Sequence, residues 1–200
     1  MKITEFQIIN KDDLTTMMEN NTPNNVHRDQ LDYYGRPSLP VTDLDTFLEA
    51  VINDFADNLD PEIDEWMNEH DTVEKAIDSG IEKIMTELDT VVSDSISVIY
   101  TCINYPLENP AIFRYDLNLV DEPLTMGHIL WTYSRAYQKT YEIEESDDQD
   151  PGNIPGMMNR AKSNGRFKIW GHVITDLVYN GRSEINVFDN YVICEFDCDS

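Results

Sequence analysis

The middle of the chain repeats its apolar residues every three or four positions, which is the period of an amphipathic helix. In residues 41–59 these positions form one stripe, and Thr42 or Asp43 is the predicted N-cap. A second helical pattern occupies residues 60–70, and a third occupies residues 71–92. The stripe of the third pattern consists of Val73, Ala76, Ile77, Ile81, Ile84, Met85 and Leu88. The sequence therefore predicts three helices in succession.

From residue 95 the chain turns to runs of β-branched and aromatic residues. SISVIYTCI and AIFRYDLNL predict two neighbouring strands. A helix is then predicted from about Thr125, and its buried side consists of Met126, Ile129, Leu130, Tyr133, Tyr137 and Tyr141. An acidic and then Pro- and Gly-punctuated segment predicts a loop. The remaining residues, from Arg166, alternate as in a β-meander with turns at Asn180-Gly181 and Asp189-Asn190.

The first of these turns allows two strand registers. A two-residue turn pairs Ile174 with Val187, but it sets Asp176 opposite the apolar Ile185. A three-residue loop pairs Leu177 with Ile185 instead. We prefer the second register because it keeps apolar residues together.

The first 40 residues are different in character. They begin with a short strand pattern, ITEFQII, and continue as an Asn- and Pro-rich segment without a sustained period. We predict an irregular N-terminal arm over residues 1–40, anchored by Tyr33, Tyr34 and Leu39. Residues 41–200 are predicted to form one α+β domain, helical over 41–93 and mixed over 94–200. Its N-terminal helices pack on a mostly antiparallel sheet with a C-terminal β-meander.

Charge narrows the range of partners. The 200 residues include 39 Asp and Glu against 14 Lys and Arg, which gives a net charge of -25. Such a field repels phosphate backbones and anionic lipid heads, so we expect no direct binding to nucleic acid or membranes. It attracts basic protein surfaces. A basic protein partner or self-association is therefore expected.

The N-terminal segment lacks the apolar core of a signal peptide, and no window is apolar enough to span a membrane. We therefore predict an intracellular protein that is not secreted. Its three cysteines are an odd number and fit reduced thiols. There is no Walker loop, Gly-x-Gly-x-x-Gly, His-Glu-x-x-His or Gly-x-Ser-x-Gly. No cofactor is expected, and the balance of motifs leans against an enzyme.

Two histidines are candidates for catalysis. His172 precedes Asp176 by four residues, and a carboxylate can orient an imidazole. On a strand these side chains would stand about 13 Å apart, so a structural role for His172 is favoured. His128 lies in the first turn of a predicted helix, where the dipole disfavours a charged ring. We expect it to be neutral and structural.

The C-terminal CEFDCDS suggests a metal, with Cys194 and Cys198 as soft ligands and Asp197 and Asp199 as hard ones. An extended strand would place the two sulfurs about 13 Å apart, too far to share one ion. Buried thiols on one face of the strand, with carboxylates on the other, are the favoured interpretation. No metal site is predicted.

The distribution of charge is more informative. Glu74, Asp78 and Glu82 repeat at four-residue steps, although like charges at that spacing cost a helix a few tenths of a kcal/mol per pair. Solubility is the favoured explanation of these charges, and binding is the alternative. The segment NRAKSNGRFK forms a local basic patch, whose members are Arg160, Lys162, Arg166 and Lys168. Contact between the basic loop and the acidic face, within the molecule or between copies, would use both.

The segments DEPLTMGHILWTYSRAY and FKIWGHVITDLVYNG resemble a pattern in uncharacterised proteins of the nucleocytoplasmic large DNA viruses. The resemblance covers about the last 90 residues and brings no catalytic residue with it. It implies a virus-encoded protein, located in the host cytoplasm or the virion.

Three hypotheses of function follow. The first is a non-enzymatic interaction protein, virion-associated or host-directed, that binds basic protein surfaces. The second is an acidic mimic of nucleic acid that occupies DNA-binding proteins, which requires carboxylates in rows at the spacing of phosphates. The third is an enzyme or metal-binding protein with a site near His128, His172 and Cys194.

Overall fold

A computed structural model describes residues 2–27, 35–58, 70, 72–119, 122–147 and 162–199. The helices of this part are α1 (Lys11–Asn20), α2 (Leu44–Asn58), α3 (Val73–Leu88) and α4 (Met126–Asp147). The strands are β1 (Lys2–Ile8), β2 (Asn25–His27), β3 (Val91–Ser93), β4 (Val98–Ile103), β5 (Ala111–Asn118), β6 (Leu124–Thr125), β7 (Val178–Val187) and β8 (Val192–Asp199). One turn of 3-10 helix covers Ile174–Asp176.

The main sheet has six strands in the order β1-β5-β4-β8-β7-β2, and β3 pairs with β6 separately. Every pair in the main sheet is antiparallel except β4 with β8, which is parallel. The predicted α+β fold with a mostly antiparallel sheet is thus confirmed. The two predicted strands before α4 are β4 and β5, and they are neighbours.

Residues 2–27 correct the prediction of an irregular arm. They contain β1, α1 and β2, and the two strands form opposite edges of the main sheet. Because β1 pairs with β5 and β2 pairs with β7, this segment is part of the sheet. Leu39 packs against the core as expected, whereas Tyr33 and Tyr34 lie outside the described residues.

The main core lies between one face of the sheet and α4, and it continues between α4 and helices α2 and α3. Its largest fully buried side chains are aromatic, among them Phe47, Phe113, Tyr115, Tyr133 and Tyr137. The opposite face carries a smaller cluster that includes Tyr100, Ile112 and Ile193, and it is covered by Leu14 of α1. The sheet is therefore buried on two sides, but much more deeply under α4.

The N-terminal caps and the buried faces of the helices largely agree with the predictions from sequence. Asp43 caps α2, since its carboxylate accepts hydrogen bonds from the Thr46 amide at 2.9 Å and the Thr46 hydroxyl at 2.9 Å. These hydrogen bonds lower the pKa of Asp43, and the bond from the Thr46 amide contributes most. On α3 the stripe is narrower than predicted, because Val73 is 47% exposed and Met85 is 49% exposed. Both were predicted to be buried.

The predicted turn at Asn180-Gly181 is wrong. Strand β7 continues through these residues. They lie where the register of its pairing with β8 shifts, between Tyr179 and Ser183. Neither predicted register occurs, because Ile185 pairs with Cys194 and residues 174–176 are not in a strand. The turn at Asp189-Asn190 is confirmed as the β7–β8 connection, closed by the Phe188 amide on the Tyr191 carbonyl at 2.9 Å.

The helix predicted over residues 60–70 lies almost entirely outside the described residues. Among the helices that are described, none combines the length and the apolar character needed to cross a membrane.

Candidate functional site

The outer side of α3 is an acidic face with an exposed methionine at its C-terminal end. At 3.6 residues per turn, Glu74, Met85, Asp78 and Glu82 fall within an arc of about 80°, with Lys75 just beyond it. All four are exposed. Within the described part of the chain, the three carboxylates make no hydrogen bond or ion pair. We call Glu74, Asp78, Glu82 and Met85 the α3 face.

The basic loop is held by a buried carboxylate that was not among the predicted site residues. Glu144, near the end of α4, is only 3% exposed. Its oxygens accept hydrogen bonds from the Phe167 amide at 2.7 Å, the Lys168 amide at 2.9 Å and the Ser163 hydroxyl. The Ser163 oxygen in turn accepts the Ile169 amide at 2.7 Å. We call this arrangement the Glu144 latch, since it ties the loop to α4.

The loop closes tightly around that carboxylate. A Cβ atom added at Gly165 would lie 2.6 Å from the Glu144 carboxyl carbon, closer than a real contact allows. Lys168 adopts a left-handed backbone with φ of 54°, which is unusual for a residue with a side chain. Glycine at position 165 thus lets the backbone wrap the acid, and the three hydrogen bonds offset the local strain.

The cations of the loop bind carboxylates of the same molecule, but not those of α3. Lys162 and Lys168 both pair with Glu108, the latter at 3.1 Å. Arg166 pairs with Asp147 of α4 at 3.3 Å. The side chains of the three cations remain 38–53% exposed. Arg160, the fourth predicted member, lies outside the described residues.

Beside these cations is a group of exposed rings. Trp170 is 44% exposed and Tyr105 is 39% exposed. The Lys162 ammonium lies 5.0 Å from the centre of the Trp170 ring, within the range of a cation–π contact. The Tyr105 hydroxyl lies 3.1 Å from Nε2 of His172. We call Tyr105, Lys162, Trp170 and His172 the Trp170 patch.

His172 and Asp176 do not form a catalytic pair. Neither lies in a strand, contrary to the prediction, since Gly171 has φ of 39° and a 3-10 turn follows. The Asp176 carboxylate accepts the Val173 amide at 3.3 Å and so caps that turn. The His172 ring bonds to Tyr105 instead. Its role in the described structure is to position rings at the surface.

His128 completes the N-terminal cap of α4. Its Nδ1 accepts the Thr125 amide at 3.2 Å and lies 2.8 Å from the Thr125 hydroxyl, as the side chain at N3 of a capping box would. The amide can only donate, so the neutral ring carries its proton on Nε2. That nitrogen is buried and has no partner among the described residues. Burial is the main cause that lowers the pKa of His128, in agreement with the predicted neutral ring.

The His128 cap predicts that the free energy of unfolding depends on pH. Because the folded pKa of His128 is lower than the unfolded one, its neutral form stabilises the fold above about pH 6.5 and that stability is lost as the pH falls. Between about pH 7.5 and pH 5, the free energy of unfolding should therefore fall more for wild type than for His128→Gln. The extra fall is about 1.4 kcal/mol for each pH unit by which folding lowers the pKa of His128. Urea unfolding at several pH values measures this. Above about pH 7.5 the two proteins should differ in free energy of unfolding by a constant amount. Equal losses in both proteins below that pH would contradict the role of neutral His128 as a cap.

The cysteines are free and buried, and each belongs to the packing of the sheet. Cys194 contacts the Thr101 hydroxyl at 3.5 Å and the Tyr100 carbonyl at 3.4 Å, while Cys198 donates to the Val178 carbonyl at 3.1 Å. The two thiols therefore bond to different neighbouring strands. Within the described residues no group of three or more His, Cys, Asp or Glu side chains is placed to hold a metal ion. His128, His172 and Cys194 each bond to a different residue, namely Thr125, Tyr105 and Thr101.

These thiols should be unreactive in the folded protein. Burial raises the pKa of Cys194 to about 12 and that of Cys198 to about 11, and it also raises the pKa of Cys102. Since the thiolate is the reactive form, a disulfide reagent at about pH 8 should label none of them until the chain unfolds. Labelling followed by mass spectrometry checks this, with the protein in denaturant as the positive control. Rapid labelling of any of the three in the native state would contradict it.

Comparison with known proteins adds no assignment: no family model, curated protein or solved structure matches this chain. The resemblance to proteins of large DNA viruses therefore stays a prediction.

Sequence reasoning missed Glu144 and the exposure of Trp170. Glu144 is one of 39 acidic residues, and its partners lie about twenty positions further along the chain. A signal was present in the small residues Ser163 and Gly165, whose spacing suits a loop that wraps an anion. Trp170 was assigned to a strand because the apolar alternation continues through it.

Proposed function

We propose that the protein is a non-enzymatic interaction protein that binds a basic protein surface through the α3 face. The observation that carries the proposal is a row of three exposed carboxylates that have no partner among the described residues, with the half-exposed Met85 about one turn beyond the last of them. The carboxylates attract and orient a cationic partner. Met85 offers a flexible apolar contact that adapts to different surfaces.

The energetics of α3 favour this interpretation. Glu74, Asp78 and Glu82 are spaced by about 6 Å along the axis, so each repels the next and destabilises the isolated helix. Solubility explains charge anywhere on the surface, but it does not require carboxylates at a spacing that destabilises the helix.

The histidines and cysteines support binding over chemistry. His128 caps a helix, His172 bonds to Tyr105, and Cys194 is a core thiol with a raised pKa. No acid–base pair or nucleophile–base pair results from these contacts. The third hypothesis, an enzyme or metal protein at these residues, is therefore less well supported.

The nucleic-acid mimic would need parallel rows of carboxylates on one surface. A second row does exist on β8, where Glu195, Asp197 and Asp199 are exposed and spaced by about 6.6 Å. The residues between them pack into the core on the α3 side, so this row lies on the opposite face of the sheet. Two rows on opposite faces do not imitate the two strands of a duplex, and this leaves the first hypothesis ahead.

The proposal is tested by capture of partners from the native source, using two variants with equal loss of charge. The α3 variant carries Glu74→Gln, Asp78→Asn and Glu82→Gln. The control variant carries Glu184→Gln, Glu195→Gln and Asp197→Asn, which are exposed on the opposite face of the sheet. We expect basic proteins to bind wild type and the control at low salt, and to be lost at high salt or with the α3 variant. Equal capture by both variants would contradict the proposal.

The variants themselves should fold normally. The α3 variant removes like charges that repel each other, so its melting temperature should equal or exceed that of wild type. Virus-encoded origin and a location in the virion or host cytoplasm stay predictions. Identification of the captured proteins would bear on both.

A further inference from the structure

The Trp170 patch has the composition of a binding surface. Two large aromatic side chains, Trp170 and Tyr105, are about two-fifths exposed, and Lys162 lies against the Trp170 ring. Trp, Tyr and Arg are the side chains that contribute most to protein interfaces, and the first two are present here. Exposed aromatic rings that share one patch are uncommon on surfaces that bind nothing.

The patch is also rigid, which lowers the entropic cost of binding. The Trp170 amide donates to the Pro106 carbonyl at 3.0 Å, and the Ser163 amide donates to the Ile169 carbonyl at 2.9 Å. The Glu144 latch fixes the same loop from below. The Tyr141 hydroxyl donates to the His172 carbonyl at 3.0 Å. Each side of the patch is thus tied to α4 or to the segment after β4.

Its local charge differs from that of the molecule. Lys162, Arg166 and Lys168 face Glu108, Asp147 and the buried Glu144, so three positive charges balance three negative ones. The whole chain has a net charge of -25. A partner that presents carboxylates therefore meets exposed cations here, and less repulsion than a uniformly acidic surface would give.

We propose that the Trp170 patch of one copy binds the α3 face of a second copy. The α3 face supplies what the patch lacks: carboxylates that have no partner in the described part of the chain, to pair with the lysines, and Met85 to contact the Trp170 ring. This inference rests on the proposed function, since it identifies the basic surface that the α3 face binds. The contact joins two different surfaces, so it generates chains or closed rings of copies.

The overall charge opposes this contact in a measurable way. Two copies of charge -25 repel each other at low salt, while at about 0.15 M the Debye length falls to about 8 Å and only nearby charges still interact. High salt then weakens the contact pairs themselves. Association should therefore be strongest at intermediate salt, whereas binding to an external basic partner should only weaken as salt rises.

The test is sedimentation velocity of the full chain over a wide concentration range at low, physiological and high salt. We expect concentration-dependent oligomers with a maximum near physiological salt. Trp170→Ser and the α3 variant should each weaken self-association by about tenfold or more. The control variant on β7 and β8 should associate like wild type or more strongly. A monomer at every salt concentration would overturn the inference.

Mixing the two defective variants makes the test specific. The α3 variant retains an intact Trp170 patch, and Trp170→Ser retains an intact α3 face. Their mixture should form one-to-one dimers that grow no further, because each dimer has only defective surfaces left. If neither the mixture nor wild type associates while the α3 variant still loses captured basic proteins, this inference fails and the proposed function stands. If capture is also unaffected by the α3 variant, both fail.

Discussion

Replacing Glu144 with Gln is expected to lower the free energy of unfolding by about 3 kcal/mol. The amide group keeps the shape of the carboxylate, but its NH2 must face at least one N–H or O–H donor that now has no acceptor. If the amide oxygen stays with Ser163 and Lys168, the NH2 group faces the buried Phe167 amide. Charge-assisted hydrogen bonds are lost at the same time.

Urea unfolding and thermal melts measure this loss, and a domain of this size should melt about 6–12 °C lower. Hydrogen exchange should also accelerate at the amides of Phe167 and Lys168. Glu145→Gln is the matched control, because that neighbouring side chain is exposed. It should leave both measurements unchanged within about 0.5 kcal/mol. A Glu144→Gln protein as stable as this control would show that the latch does not hold the loop.

Gly165→Ala is expected to destabilise the fold by about 2–4 kcal/mol through the same latch. The added methyl group would overlap the Glu144 carboxylate, with its nearest atoms at 2.6 Å. Because that carboxylate is buried and accepts three hydrogen bonds, it cannot move aside without losing its partners. The expected loss is therefore far above the cost of an ordinary surface substitution.

A double-mutant cycle separates this mechanism from general damage. Once Glu144→Gln has weakened the latch, Gly165→Ala has less to break, so the combined loss should be at least about 1 kcal/mol smaller than the sum. Glu145→Gln combined with Gly165→Ala should be additive. Additivity in both cycles would mean that Gly165 matters for a reason unrelated to Glu144.

The helices were predictable because their apolar periodicity is local. Residues such as Phe47, Val51 and Phe55 repeat at helical spacing and are all buried in the main core. The width of the α3 stripe was not predictable, since whether Met85 is covered depends on elements far away in the chain. An apolar residue at the margin of a stripe therefore gives an ambiguous signal.

The strands show the limit of turn signals. Asn180-Gly181 has the composition of a tight hairpin, yet the same dipeptide is accommodated in an irregular stretch of β7. Only the position of β8, which pairs with β7 on both sides of that point, decides between the two. The parallel pairing of β4 with β8 likewise depends on contacts about ninety residues apart, which no short pattern encodes.

For the candidate site, the sequence indicated the charges but not their partners. Glu74, Asp78 and Glu82 lie on one exposed face of α3, as their spacing predicts. The basic residues were expected to contact the acidic face of residues 43–95, within the molecule or between copies. Within the molecule, the described cations pair with Glu108 and with Asp147 at the end of α4. Ion pairs between residues distant in sequence require the fold, so the sequence alone could suggest the loop but not how it is used.

The most direct measurement of the central claim is zero-length cross-linking of carboxylates to lysines in a complex with a captured basic protein. We predict cross-links from Glu74, Asp78 or Glu82 to partner lysines, lost at high salt. Cross-links made only by carboxylates elsewhere, such as Glu184 or Glu195 on the opposite face of the sheet, would contradict the assignment of the α3 face as the binding surface.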